Sequence, residues 1–489
     1  MESQDQQAQS EAIITNHELN IWEALIPVIA LVGLLAYNVM VYGDDALSGS
    51  NQFVLLLGAA VAAIVGFKNK VSYEQMLAEV GNNFKSTTGA ILILLFVGAL
   101  AGTWLISGII PTLIYGGLKI LSPSIFLPAT VVICAIISLA TGSSWTTSAT
   151  VGIALIGIGG TIGFSLGMVA GAVISGAYFG DKMSPLSDTT NLAPAMAGGE
   201  LFAHIRYMTY TTVPSILVTM VLFTIIGFTT DTTGTTDTAE ILAAIDASFN
   251  ITGWLLLVPL AVILLIIRKT KPVVALLIGS LLGGLFAVIF QPDIVAKIGG
   301  SDTLTFESAY KGIMNALTVD TAIETSNATL NDLFTAGGMK GMLGTIWLIM
   351  CAMVFGGVMD AIGALSRISD ALLSMANSIF GLFASTVASC LALNVTASDQ
   401  YLAIVVPGKM FSKAYADKGL APENLSRTLE DSGTVTSVLV PWNTCGAYQS
   451  GVLGVSVVEY FAYAIFNWLS PFMTLLFAAL RIKIKMLRS

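Results

Sequence analysis

Two polar stretches that carry carboxylates interrupt an otherwise strongly apolar chain, and they constrain its fold more than any other feature. The first covers residues 142–148 and 180–191, and the second covers residues 393–399 and 430–443. An ungapped shift of about 250 residues aligns them and pairs Thr146 with Thr396, Ser148 with Ser398, Asp181 with Asp431 and Ser187 with Ser437. Polar breaks that recur in two halves are typical of membrane carriers, which form their substrate sites there.

The composition supports a membrane protein. The chain has 489 residues, of which 55% are hydrophobic and only 10% are charged, whereas soluble domains have about 25% charged residues. Apolar runs of about 20 residues, long enough to span a bilayer, recur along the chain. We therefore predict an all-α polytopic protein with inverted-topology repeats, broken helices or re-entrant hairpins, and about 11 to 13 spans. The net charge of −9 and the absence of a basic run give no support for nucleic-acid binding.

The distribution of Lys and Arg predicts the orientation, because these residues favour the cytoplasmic side. Basic residues follow the second predicted span, follow the eighth and end the chain; they are Lys68, Lys70, Arg268, Lys269, Lys271, Arg481, Lys483, Lys485 and Arg488. Both termini are then cytoplasmic, and Asp44 and Asp45 lie outside. The first repeat starts inside near residue 72 and the second starts outside near residue 306, so the repeat is predicted to be inverted. Chance similarity of two apolar sequences is the alternative, and the opposite starting sides favour homology.

The predicted organisation has five parts. They are a cytoplasmic acidic tail (1–20), a two-span hairpin (21–71), a first inverted repeat (72–228), an extramembrane loop with two linking spans (229–305), and a second inverted repeat with a basic cytoplasmic C-terminus (306–489). Segments 72–86 and 306–318 are too polar to span and are predicted to be amphipathic helices. The Thr-rich segment 229–250 is predicted to be the loop.

Carboxylates within apolar segments indicate a cation site. A charged carboxylate at the centre of a bilayer costs roughly 2.5–3.5 kcal/mol on insertion scales, so it must pair, bind a cation or take up a proton. Pro185 disrupts the helix that carries Asp181 and frees carbonyl oxygens, which hard cations prefer. The predicted cation- and proton-binding residues are Ser144, Thr146, Asp181, Ser187, Asp188, Thr189, Thr190, Asn191, Asn394, Thr396, Ser398, Asp399 and Asp431. Sodium itself is predicted at Asp181, Asp188, Asn191 and Asp431.

Structural alternatives remain open for several of these residues. Ser187 or Asp188 could cap a helix that starts near Asn191. Lys182 could pair with Asp181 or extend to the membrane interface. For Glu430 we favour a solvated helix end. The sequence has no phosphate-binding loop and no nucleophile–base set, so neither ATP-driven transport nor an enzyme is indicated, and no cofactor is expected.

Three motifs carry a family resemblance. Residues 99–111, 142–147 and 176–194 strongly resemble the NhaC family of sodium/proton antiporters, and the likeness extends over most of the chain. The resemblance implies a multi-pass carrier of the bacterial inner (cell) membrane that exchanges Na+ for H+ in pH homeostasis. It also implies a place in the ion-transporter superfamily, with a homodimer scaffold and a moving transport domain. Malate/lactate and amino-acid exchangers occur in the same family, so exchange of a small organic anion coupled to Na+ and H+ stays open as the alternative.

Overall fold

The computed structural model describes residues 13–42, 46, 49–120, 122–230, 238–268, 270–327, 330–331 and 334–487. Predictions made for residues 1–12 of the acidic tail, Asp44, Asp45, Lys269 and Arg488 lie outside the described residues. Within those ranges the chain is a helical protein with one short hairpin, β1 (Thr321–Ala322) paired antiparallel to β2 (Thr335–Ala336).

The helices of the first half include those that carry the first polar break. They are α1 (Ile21–Tyr42), α2 (Ser50–Lys68), α3 (Tyr73–Ile106), α4 (Ile109–Ile120), α5 (Pro123–Thr141), α6 (Ser144–Ile162), α7 (Leu166–Met183), α8 (Asp188–Ala197), α9 (Leu201–Thr229), α10 (Thr238–Ser248), α11 (Gly253–Ile267), α12 (Pro272–Phe290) and α13 (Pro292–Ile298). A π-helical turn, Ser148–Gly152, lies within α6.

The helices of the second half include those that carry the second break. They are α14 (Phe306–Thr318), α15 (Gly338–Ala361), α16 (Ala364–Ser374), α17 (Ile379–Thr396), α18 (Leu402–Asp417), α19 (Pro422–Leu429), α20 (Thr444–Leu453), α21 (Val457–Phe461) and α22 (Ile465–Ala479). A π-helical turn, Glu430–Thr434, continues directly from α19.

The predicted fold class is confirmed as an all-α polytopic membrane protein. Among the described residues, nine helices are long and apolar enough to cross a bilayer. A tenth span is possible if α10 and α11, which meet at 87°, are taken together. Helices α4 and α22 are apolar but shorter, and α6 to α8 and α18 to α20 are broken around the polar segments. The count of 11 to 13 crossings stays a prediction.

Two predictions about local structure were wrong. Segment 72–86 does not form a separate helix, because the Ser72 capping box starts α3 and no Pro follows, so the helix continues to Ile106. Segment 229–250 was predicted to be a loop, yet it contains α10. Ile245 on this helix is fully buried. Apolar residues spaced one helical turn apart therefore form a helix here, although the preceding residues are rich in Thr.

The two halves repeat the same helix order, but at a spacing of 256 rather than 250 residues. Both Ser122 and Ser378 are N-caps, of α5 and α17, and Ser187 and Asn443 cap α8 and α20. Gly198 and Gly454, which end the latter two helices, both adopt the left-handed conformation. Caps mark chain geometry directly, whereas Ser, Thr and Asp matches recur by chance in polar breaks. Asp181 therefore corresponds structurally to Ser437, and its predicted pairing with Asp431 was wrong.

Close packing between α5 and α7 holds the first break in place. A Cβ at Gly176 would overlap the carbonyl oxygen of Val131 and approach Cys134 Cβ at 2.9 Å. All four cysteines, Cys134, Cys351, Cys390 and Cys445, are buried free thiols.

We expect Gly176→Ala to lower the stability of the detergent-solubilised protein by about 1–3 kcal/mol, because the backbones of α5 and α7 must separate. The melting temperature measures this effect. Gly89→Ala in α3 is the matched control, since nothing lies within 4 Å of its Cβ position, and it should keep or raise the melting temperature. Equal melting temperatures for the two variants would contradict the packing argument.

Candidate functional site

Asp181 lies where two helix ends meet. It occupies the last turn of α7, and its carboxylate accepts hydrogen bonds from the backbone N–H of Ser144 (3.0 Å) and from the Ser144 hydroxyl (2.6 Å). Ser144 starts α6, so the carboxylate faces the positive end of that helix. Asp181 is partly exposed, whereas Ser144 is buried. The carboxylate is therefore fixed in position, on a residue that keeps part of its surface exposed.

The chain between α7 and α8 is held by its own side chains. The Ser187 hydroxyl accepts a hydrogen bond from the Thr190 N–H (3.4 Å) and caps α8, which confirms the capping alternative for Ser187. Thr190 Oγ1 donates to the carbonyls of Asp181 (3.2 Å) and Lys182 (3.0 Å). The exposed Asn191 donates to two further carbonyls, those of Pro185 and Ser187. The helix break thus occurs as predicted, but the freed carbonyls already have donors.

Lys182 and Asp431 form an ion pair with both side chains fully buried. Neither alternative predicted for Lys182 was correct, because its ammonium pairs with Asp431 instead of Asp181 and its side chain is fully buried. Asp431 also accepts hydrogen bonds from Thr211 of α9 (2.9 Å) and from Thr474 of α22. Two hydroxyls and an ammonium therefore satisfy this carboxylate, as a buried charge requires.

Glu430 is a buried carboxylate, and its predicted position at a solvated helix end was wrong. It opens the π-helical turn Glu430–Thr434 and is 0% exposed. Its Oε1 accepts a hydrogen bond from Thr189 Oγ1 at 3.0 Å, while Oε2 has no hydrogen-bond partner among the described residues. Such π-turns are frequent at functional sites, and Glu430 joins the first break to the second.

The second break has its own network. Asp399 Oδ1 accepts from the N–H groups of Tyr401 (2.8 Å) and Leu402 (3.2 Å) at the start of α18. Asn394 donates to the Gly433 carbonyl (2.8 Å) and to Thr436 Oγ1 (3.0 Å). Ser398 has a positive φ of 59° at the end of α17, and its carbonyl accepts from the Thr444 N–H at 2.9 Å.

Direct hydrogen bonds connect all four polar segments. Segment 142–148 is joined to 181–191 through Ser144, that segment to 430–437 through Thr189, and 430–437 to 394–399 through Asn394. Trp145 of α6 stacks on Tyr448 of α20 at 4.0 Å, which ties the two halves together again.

Not every predicted ligand lies beside Asp181. The hydroxyls of Thr146 and Thr396 are engaged within their own segments, with Ser143 and with the Ala392 carbonyl. Asp188 is exposed in the first turn of α8. Asp431 accepts from Lys182 rather than facing an open site.

Sequence reasoning missed a second set of buried polar residues. It consists of Thr211, Arg427 and Thr474, and Glu430, which the sequence analysis placed at a solvated helix end, is buried as well. Arg427 is 0% exposed, its guanidinium lies 4.5 Å from the Tyr207 ring, and its three side-chain nitrogens have no acceptor among the described residues. The polar segment 422–431 resembles a surface helix in sequence, and only its enclosure by α9, α17 and α18 shows otherwise.

The oxygen-rich surroundings of Asp181 suit a monovalent hard cation. Among the described residues, no three His, Cys, Asp or Glu side chains cluster closely enough to hold a metal ion. The oxygen atoms nearest to the Asp181 carboxylate belong to Ser144, and oxygen is the ligand that hard cations prefer.

Comparison with known proteins gives consistent matches. The model of the "Na+/H+ antiporter family" matches residues 176–482. A protein of Alkalihalophilus pseudofirmus named Na(+)/H(+) antiporter NhaC is 39% identical over 88% of this chain and 90% of its own length. The Bacillus subtilis protein of the same name is 36% identical, covering 86% and 90%. A second B. subtilis protein, the malate-2H(+)/Na(+)-lactate antiporter, is 37% identical over 86% of each chain.

Proposed function

The chain belongs to the Na+/H+ antiporter family, and on this premise we propose that it exchanges Na+ for H+ by alternating access, with the Asp181 carboxylate binding either ion. The observation that carries the proposal is the setting of Asp181, a partly exposed carboxylate fixed between two helix ends inside an apolar protein. Such a group is stable when it holds a sodium ion or a proton, and the two loads exclude each other. The protein is a carrier and not an enzyme.

The sodium site would consist of oxygens from the first break. Asp181 supplies the charge, and the hydroxyls of Ser144 and Ser187 supply neutral ligands. Asp188 and Asn191, both exposed near the same break, would attract the ion and replace part of its water. Sodium binding to Asp431 stays a prediction, and it requires that Lys182 first move away.

The Lys182–Asp431 pair would transmit the state of the site to the rest of the protein. Lys182 follows Asp181 directly, and Asp431 follows Glu430 directly, so the pair fixes the first break against the π-turn. Because the two residues are adjacent, exchange of Na+ for H+ on Asp181 changes the electrostatic potential at the Lys182 ammonium. Helices α6 to α8 and α18 to α20 would then move together against the other helices as one transport unit.

The predicted domains enter the proposal with two local changes, since residues 72–86 belong to α3 and residues 238–248 form α10. The predicted orientation and location enter it as they stand. The repeats 72–228 and 306–489 would be inverted with respect to each other, and both termini would lie in the cytoplasm of a bacterium whose inner membrane holds the protein. Helices α1, α2, α11 and α12 would form a peripheral scaffold and the contact of a homodimer. Helix α2 packs against α15, and α12 packs against α3, so the long helices α15 and α3 hold two of the four proposed scaffold helices.

Proteoliposomes test the proposed exchange. Addition of external Na+ should drive proton movement, reported by an internal pH dye, and the apparent sodium affinity should weaken as pH falls from 9 to 6. The sign follows from competition, because each proton that occupies Asp181 removes a sodium site. A sodium affinity that stays constant over this range would contradict binding at a shared carboxylate.

A second candidate function is exchange of an organic anion or amino acid coupled to Na+ and H+. Arg427, a buried guanidinium with no acceptor among the described residues, favours it because Arg binds carboxylates through two parallel hydrogen bonds. The malate-2H(+)/Na(+)-lactate relative transports such anions by its name. Malate, lactate or arginine inside the vesicles should accelerate sodium uptake if this function holds, and Arg427→Lys should remove the acceleration. No acceleration leaves Na+/H+ exchange as the function.

A further inference from the structure

A cavity of about 360 Å³ lies between the start of α9 and the last residues of the chain. Three basic and two aromatic side chains line it, and none of its described lining residues is acidic. They are Arg206, Lys483, Lys485, Tyr207 and Tyr210. Ligand sites in proteins begin at about 300 Å³, so the cavity is large enough for a small polar group. None of its lining residues belongs to the polar breaks.

Hydrogen bonds fix the wall of the cavity that the C-terminal segment 483–487 forms. The Lys485 carbonyl accepts from the Ala421 N–H at 2.9 Å. The Lys483 carbonyl accepts from the Tyr207 hydroxyl of α9. The segment is therefore held against α9 and against the chain that leads into α19.

Two of the three positive charges in the cavity have no acid to neutralise them. Lys485 pairs with Glu423, whereas the exposed side chains of Arg206 and Lys483 form no ion pair with any described residue. The Lys483 ammonium lies 4.9 Å from the centre of the Tyr210 ring, which keeps it beside the cavity. The cavity thus carries a net positive charge and attracts an anion.

An exposed apolar face of α9 continues from the cavity along the helix. Four exposed apolar side chains recur there at every fourth residue, and they are Val213, Leu217, Val221 and Ile225. Tyr210 and Arg206 extend the same face towards the start of the helix, because residues three or four positions apart lie on one side. Helix α9 is long and apolar enough to span a bilayer, so this face contacts hydrocarbon. Tyr210 belongs to a residue type enriched at membrane–water interfaces, and the cavity lies at such an interface.

We propose that the cavity binds the phosphate of an anionic phospholipid, whose acyl chains lie along the exposed face of α9. Arg206 binds the phosphate oxygens through parallel hydrogen bonds, and Lys483 binds them as a point charge. A free phosphate has the same two partners but leaves the apolar face uncovered, so the continuity of charge and apolar surface favours the lipid. The predicted cytoplasmic position of Lys483 agrees, because anionic lipids attract basic residues beside a span on that side. The site is independent of the exchange function.

Native mass spectrometry of the detergent-solubilised protein with dioctanoyl phosphatidylglycerol tests the proposal, because it counts the bound lipids and yields their affinity. Each basic side chain near an anionic lipid contributes about fivefold in affinity. The double variant Arg206→Gln with Lys483→Gln should therefore bind this lipid about 25-fold more weakly. Lys483→Arg keeps the charge and should bind as the unmodified protein does. Zwitterionic dioctanoyl phosphatidylcholine should bind more weakly than phosphatidylglycerol by about tenfold or more.

The matched control is the double variant Arg268→Gln with Lys271→Gln. It removes two exposed basic residues on the same predicted side that do not line the cavity, so the affinity should stay unchanged. Equal weakening in the two double variants would show a general effect of charge and overturn the site. Equal affinities for phosphatidylglycerol and phosphatidylcholine would overturn it as well.

A competition experiment separates the lipid from a soluble anion. Glycerol phosphate that displaces phosphatidylglycerol at an equal concentration would overturn the lipid as the occupant, since the apolar face would then contribute nothing. Size-exclusion chromatography checks that each variant folds. If the double variant at the cavity aggregates, Lys483→Gln compared with Lys483→Arg decides, and equal affinities for the two would overturn the proposal.

Discussion

Replacement of Asp181 by asparagine should reduce sodium-driven proton movement in proteoliposomes to the level of empty vesicles. The amide keeps the shape of the side chain and can accept from Ser144, but it has no charge for sodium and cannot take up a proton at neutral pH. The pH dye records the lost exchange, and size-exclusion chromatography records whether the variant still folds. We expect a monodisperse, inactive protein.

The control for this variant is Asp293→Asn, which removes an exposed carboxylate in the first turn of α13. It should transport at the unmodified rate, so a general effect of charge removal would be visible. Normal sodium/proton exchange in a folded Asp181→Asn protein would exclude Asp181 as the carrying group. Loss of folding would instead show that its hydrogen bonds to Ser144 are structural.

Removal of the ammonium in Lys182→Met should produce the largest loss of stability. It leaves Asp431 fully buried with only the hydroxyls of Thr211 and Thr474 as partners. Removal of one member of a buried pair costs about 3–5 kcal/mol, because an uncompensated charge remains. The apparent melting temperature in detergent measures the effect.

The double variant Lys182→Met with Asp431→Asn should recover most of this stability, since no buried charge is then left without a counter-charge. Asp431→Asn alone should cost less than Lys182→Met alone, because Lys182 lies in the field of Glu430 and keeps a carboxylate neighbour. A double variant as unstable as Lys182→Met would contradict the ion-pair explanation. A stable double variant without transport would show that the pair also serves the transport cycle.

Several elements of the site followed from local sequence. Pro185 after a helix predicted the break between α7 and α8, and the Ser and Asp residues after it predicted the cap that Ser187 provides. Carboxylates in apolar segments predicted buried or half-buried charges near both breaks. These predictions succeed because helix termination and the cost of burying charge depend on residues that are adjacent in sequence.

The predicted alignment of the two halves at a spacing of 250 residues was wrong, also for a physical reason. An ungapped match of Ser, Thr and Asp aligns side chains that are common in any polar break, whereas the structural correspondence depends on where helices start and stop. The 256-residue spacing is visible in the caps Ser187 and Asn443. As a result, Asp431 corresponds to Ser175 of α7, and the two carboxylates first assigned equal roles have different surroundings.

Sequence alone determined that the chain spans a membrane through helices and that polar breaks interrupt them, because hydropathy and helix-breaking residues act locally. Its motifs were also enough to show the resemblance to sodium/proton carriers. Only the tertiary structure decided the partners of the charged groups. Lys182 lies beside Asp181 in the chain and pairs with Asp431, 249 residues away, and Glu430 meets Thr189 across 241 residues. A polar helix such as α19 has the same sequence pattern on a surface and in a core, and it is the packing of α9, α17 and α18 around it that buries Arg427 and Glu430.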